Sequence, residues 1–113
     1  MTDYEFGDVA LVPFPFTDQT TTKQRPAVVI SSTTYHRERS DLIIVAVTSQ
    51  IRPTMQTGEA TIVDWKSAGL LRPSVIKPVI ATIDRQLVRK RLGHLATGDI
   101  TSLKQALSAI MGP

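Results

Sequence analysis

Residues 41–48 read Asp-Leu-Ile-Ile-Val-Ala-Val-Thr, and no other stretch constrains the fold as tightly. β-branched side chains lose rotamer freedom in a helix and pack well on a pleated surface, so this run predicts a strand. Weaker runs repeat the signal. Residues 9–12 form an apolar stretch that reads as a buried strand, ended by Pro13 and Pro15 with Phe14 and Phe16 interleaved. Residues 26–30 form a second strand, opened by Arg25, and residues 59–63 a short one. Residues 74–83 hold two short apolar stretches broken by Pro78, and residues 88–95 mix apolar with basic side chains. The connections are polar. Residues 17–24 lack any period and read as a mobile loop, as do residues 31–40 and the Pro53- and Gly58-bearing segment 51–58 as linking segments. Residues 64–69 suit one helical turn stopped by Gly69.

Only the end of the chain carries a helical period, through Ile100, Leu103, Leu107 and Ile110. Thr97 reads as its N-cap, Asp99 suits its positive end, and Gly112-Pro113 stops it. Several short strands and one terminal helix in 113 residues predict a mainly β fold, a small and strongly bent barrel with a packing helix. The length predicts a single domain over residues 1–113.

Composition removes several function classes. The chain has no cysteine, which excludes disulfides and thiolate metal sites. His36 and His94 are the only imidazoles, no carboxylate sits near either at ligand spacing, and no bound metal or cofactor is expected. A net charge of +3 permits a polyanionic partner without demanding one. No run of 18 apolar residues predicts a membrane span. The first residues lack the basic and apolar regions of a secretion signal, so a cytoplasmic location is expected.

Standard catalytic constellations are missing: there is no G-x-S-x-G, H-E-x-x-H, phosphate-binding loop or dinucleotide fingerprint. A ribonuclease-type pair of His36 and His94 is set aside, because each stands in a polar or surface-like context. What remains is polarity at strand ends. Arg25 precedes the second strand, and Thr48, Ser49 and Gln50 follow the third, where functional residues often sit on a rigid scaffold. By themselves these residues read as a surface arginine and a strand-ending threonine that hydrogen-bonds its local backbone.

The opening GDVALVPFPFTDQTTTKQRPAVVIS is similar to the start of the MazF/PemK growth-inhibitor family, in which a G-D-V strand leads through a variable loop to an R-P-A/V-V-V strand. DLIIVAVTSQI resembles the family's third strand, AGLLRPSVIKPVIATIDRQLVRKRLGHL its later block, and GDITSLKQALSAIMG its final helix. The four segments follow in order over nearly the whole chain. The resemblance implies an SH3-like barrel of the MazF/PemK/CcdB kind with short helices and a C-terminal helix, usually a homodimer. It implies a toxin of a type II toxin–antitoxin system, a metal-independent, sequence-selective endoribonuclease acting on single-stranded RNA. In that chemistry the RNA 2′-hydroxyl attacks the adjacent phosphodiester, leaving a 2′,3′-cyclic phosphate and a 5′-hydroxyl.

On the matching positions, Arg25 falls at the family's catalytic arginine and Thr48 at its catalytic threonine. A guanidinium offers paired donors to the charge that builds on the phosphate oxygens, and a hydroxyl adds another donor. Thr17, Lys23 and Gln24 match the segment that covers the site. Phe16 either stacks on a base or fills the barrel, and Ser49 and Gln50 either hydrogen-bond RNA or cap a strand end. The run Arg89, Lys90 and Arg91 is either a phosphate contact or a solvated face, and nothing in the sequence assigns Arg39, Arg52, Lys77 or Arg85 to RNA. One departure stands out. Several relatives carry E-Q-I-R before the T-I-D motif, whereas this chain has Pro78, Val79, Ile80 and Ala81, which offer no side-chain donor or acceptor to a base edge. The implied protein partner is an antitoxin whose acidic, extended segment enters the RNA groove. Two other classes stay open: a CcdB-like gyrase-inhibiting toxin, against which Arg25 and Thr48 argue, and a noncatalytic SH3-like module binding nucleic acid or protein, for which 5% aromatics make a poor groove.

Overall fold

The computed structural model describes residues 3–14 and 23–112. Six strands form one antiparallel sheet: β1 (Asp8–Pro13), β2 (Gln24–Val29), β3 (Asp41–Thr48), β4 (Ala60–Ile62), β5 (Ser74–Asp84) and β6 (Lys90–His94). Their spatial order is β4-β5-β3-β2-β1-β6, so β3 and β2 lie at the centre and the short β4 and basic β6 at the edges. Two α-helices, α1 (Thr33–Glu38) and α2 (Thr97–Ile110), and one 3-10 turn at Arg85–Leu87 complete the described fold. The expected mainly β architecture is present as a curled half-barrel with its terminal helix.

Burial explains why the third strand is apolar at nearly every position. Val45 and Val47 enter one core cluster with Val9, Val28, Ile62, Ile76 and Leu103, while Ile44 and Ala46 enter a second with Val12, Ala27, Val29 and Leu42. Successive side chains point to opposite faces, so a central strand covered on both faces must be apolar throughout. Helix α2 supplies Leu103, with Ile100 and Leu107 packed alongside, to the first cluster only. Burying one such leucine or isoleucine side chain is worth about 1.5–3 kcal/mol.

Three local expectations are corrected. Residues 74–83 are one strand, not two: Val45 pairs with Ile80 and Ala46 with Lys77, which leaves Pro78 and Val79 as a bulge. Proline has no N–H to give to the ladder, and a bulge is where the strand tolerates that loss. The polar segment 31–40 contains α1, capped by Ser32, whose hydroxyl accepts from the Tyr35 N–H at 3.2 Å. Arg85 Nη2 donates to the carbonyls of His36 and Arg39 at 2.7 and 2.8 Å, satisfying orphan groups at the end of that helix. Ala96, not Thr97, is the N-cap of α2, with no side-chain cap bond. Asp99 is buried, and its carboxylate accepts the Val63 and Asp64 N–H groups at 2.9 Å each. The turn ending at Gly69 is as expected: Ala68 N–H reaches the Asp64 carbonyl at 3.3 Å, and Gly69 has φ +81°.

Candidate active site

Arg25 lies near the start of β2 opposite Val12, and Thr48 is the last residue of β3. Ala27 pairs with Ala46, and extending that antiparallel register toward the strand ends sets Arg25 against Thr48. Two clefts meet there. The larger, about 430 Å³, has Leu11, Pro26, Leu70 and Leu92 for walls and Ser49, Arg72 and Lys90 at its polar rim. The smaller, about 220 Å³, is lined by Ala46, Gln50, Lys77 and Val79. Arg25 and Thr48 line both. Among the described residues no acidic side chain lines either cleft, while Arg25, Arg72, Lys77 and Lys90 do. Such a surface concentrates anions.

The Thr48 hydroxyl oxygen accepts the Gln50 N–H at 3.1 Å. This is the local backbone bond open to any strand-ending threonine. It fixes the hydroxyl oxygen and leaves its proton to be donated, since a hydroxyl has one donor and two acceptor sites. The same turn explains why Gln50 shares the smaller cleft while Ser49, one residue earlier, faces the larger.

Other sequence-derived candidates fare differently. Lys23 and Gln24 are exposed and line neither cleft. Phe16 and Thr17 lie outside the described residues. The run Arg89 to Arg91 divides: Lys90 faces the larger cleft, but Arg91 stacks 4.5 Å over the Tyr4 ring and donates to the Asp3 carbonyl at 2.7 Å. Arg39 is held by Asp41 at 3.1 Å, and that hydrogen bond is the largest cause of its raised pKa. Arg85 is spent on α1. Arg72 and Lys77, which no sequence signal singled out, are brought to the clefts by the turn after Gly69 and by the β5 bulge.

Neither histidine lines the clefts. His36 is buried, not surface-like, with Nδ1 2.7 Å from the Tyr4 carbonyl and Nε2 against the Ser31 hydroxyl. His94 Nδ1 lies 2.8 Å from Asp8 Oδ1. The expectation that no carboxylate approaches a histidine is corrected here, because one ligand atom each of Glu5, Asp8 and His94 falls within 4.8 Å of the others. Asp8 Oδ2 already accepts the Glu5 N–H at 2.9 Å, and Arg91 stands 3.6 Å from it. The cluster is therefore a hydrogen-bonded clasp joining β1 to β6, with a guanidinium opposing any added cation.

Fold and site define a class: a curled antiparallel half-barrel closed by a C-terminal helix, with a guanidinium and a hydroxyl opposed at one open end. The chain belongs to the PemK-like, MazF-like toxins of type II toxin–antitoxin systems, whose family model matches residues 5–111. Solved structures agree on the fold. An endoribonuclease from a mycobacterial species, in complex with its cognate antitoxin, is 16% identical with a TM-score of 0.75, covering 97% of this chain and 99% of that one. MazF from Deinococcus radiodurans is 17% identical with a TM-score of 0.77, covering all of both chains. Mycobacterium tuberculosis toxin MazF-mt6 is 19% identical with a TM-score of 0.71, covering 89% and 92%. No curated protein matches the sequence. No helix among the described residues is long and apolar enough to cross a membrane.

Proposed function

We propose that the protein is a sequence-selective, metal-independent endoribonuclease that cuts single-stranded RNA. The observation that carries this reading is the opposition of Arg25 and Thr48 where two clefts meet, neither of them lined by an acidic side chain among the described residues. The scissile phosphate lies between them. The RNA 2′-oxygen attacks phosphorus, the bond to the 5′-oxygen breaks, and a 2′,3′-cyclic phosphate and a 5′-hydroxyl result. The 2′-proton passes to water, and water protonates the leaving oxygen. Arg25 stays charged throughout, because a guanidinium does not release its proton near neutrality and is poorly matched to acid catalysis. Its role is to donate to the non-bridging oxygens as negative charge grows on them. Thr48 donates a second hydrogen bond. Each preorganised donor of this kind is worth roughly 2.7–4 kcal/mol.

The nucleophile belongs to the substrate, so the protein's task is positioning, and the chemistry places no demand on a bound metal. An antitoxin with an acidic, extended segment complements the same cationic clefts and so blocks RNA. The homodimer implied by the family resemblance is part of this reading.

The test replaces one nucleotide. A substrate RNA with a single 2′-deoxynucleotide at the mapped cut should remain intact while competing for binding like the all-ribose strand. Cleavage of that substrate at the same position contradicts the mechanism.

A further inference from the structure

We propose that Lys77 binds the phosphate next to the one that is cut, a role that rests on the nuclease reading above. Arg25, Thr48 and Lys77 stand on three consecutive strands, in the order β2-β3-β5. Lys77 pairs with Ala46, and Ala46 points to the same face as Thr48, two residues further along β3. The Lys77 side chain accordingly lines the smaller cleft with Arg25, Thr48 and Gln50. It does not line the larger cleft. Arg25 therefore serves both arms of the groove, whereas Lys77 serves one.

The β5 bulge sets this position. Pro78 and Val79 have no partner on β3, so Lys77 is the last paired residue before the strand kinks. Lys77 is half-buried, yet its ammonium makes no hydrogen bond or ion pair with any described residue. Lys77 brings its positive charge to a cleft in which no described lining residue is acidic, and such a surface attracts an anion. Thr48 stands between Arg25 and Lys77 on the middle strand. From β2 to β5 is about 10 Å, two strand spacings, a distance over which an extended strand presents a second phosphate. Val79 beside Lys77 adds an apolar wall for the attached nucleotide but no base-reading group. The smaller arm thus holds backbone rather than sequence, and base discrimination falls to the other arm.

The test uses a fluorescently labelled single-stranded DNA oligonucleotide, which lacks the nucleophile, with wild type, Lys77→Met and Lys77→Arg. Methionine keeps most of the stem, and thermal melts check that the variants are folded. Lys77→Met should weaken binding about tenfold at low salt and make the log Kd against log salt dependence shallower by about 0.7, the share of one phosphate on a single strand. Lys77→Arg should restore both. Single-turnover cleavage of RNA at saturating enzyme should stay within about threefold of wild type, since the donors at the cut phosphate are intact. Unchanged affinity and salt slope in Lys77→Met overturn the proposal, as does a large loss of saturating rate at unchanged affinity. A wild type that binds the DNA but leaves RNA whole refutes the nuclease reading, and the slope comparison still decides Lys77. A wild type that binds no single strand refutes both.

Discussion

The Asp99 carboxylate near the start of α2 accepts the main-chain N–H of Val63, 36 positions earlier, at 2.9 Å. Its other oxygen accepts the neighbouring Asp64 N–H at the same distance. The contact locks the terminal helix to the end of β4 and to the turn that carries Gly69 and Leu70 into the larger cleft. Stability and site geometry therefore share one buried side chain.

Replacing Asp99 with alanine strands two N–H groups in a buried setting. A lost partner of this kind costs about 1–3 kcal/mol per group, so Asp99→Ala should destabilise the fold by about 3 kcal/mol, read by urea denaturation. A loss below about 0.5 kcal/mol, the range of an ordinary surface change, contradicts the clamp.

Gly69→Ala tests the turn directly. The residue has φ +81°, and an added Cβ would sit 2.0 Å from the Leu92 carbonyl oxygen, inside any tolerated contact. Left-handed strain alone costs about 1–3 kcal/mol, and the overlap must move β6 as well. The expected outcome is a loss of about 3 kcal/mol or more in chemical denaturation, together with weaker RNA binding through displaced Leu70 and Leu92.

Much of this architecture was legible in the residues, for definite reasons. The run Ile43 to Val47 identifies a strand because a central strand covered on both faces admits only apolar side chains. Helix α2 shows itself because one face carries Ile100, Leu103 and Leu107 while the other meets water. Helix α1 was invisible because six residues leave little room for a period, and the one buried side chain is His36. The continuity of β5 through Pro78 was hidden because only the partner strand reveals the bulge. At the site, Arg25 and Thr48 were reached through a motif resemblance. Lys77, Arg72 and the Glu5–Asp8–His94 clasp depend on long-range placement that no spacing along the chain encodes.

The histidines give a discriminating prediction. His94 is partly exposed and bonded to Asp8, and it stands outside both clefts. His94→Asn should lower stability by about 1 kcal/mol, the worth of one hydrogen bond to a buried carboxylate that keeps its other partners, and leave the RNA cleavage rate within about threefold of wild type. A hundredfold loss of rate in a folded His94→Asn protein would restore an imidazole acid–base mechanism.

Charge sets the competition between ligands. On the proposed reading, RNA and an acidic peptide would meet the same four cations of the clefts, Arg25, Arg72, Lys77 and Lys90. Raising salt from about 50 to 200 mM should weaken both together, because each exchange releases or screens counterions. A peptide rich in Asp and Glu should displace labelled RNA in a fluorescence anisotropy titration, and a scrambled neutral peptide should not. Simultaneous binding of both ligands contradicts the shared groove.

The measurement that bears most directly on the account is cleavage of a long single-stranded RNA in EDTA by wild type, Arg25→Ala and Thr48→Ala. The account predicts that wild type cuts without free metal and leaves cyclic phosphate ends, and that each variant stays folded but loses about 100-fold or more in rate. Intact RNA with folded wild type, or full activity in either variant, contradicts it.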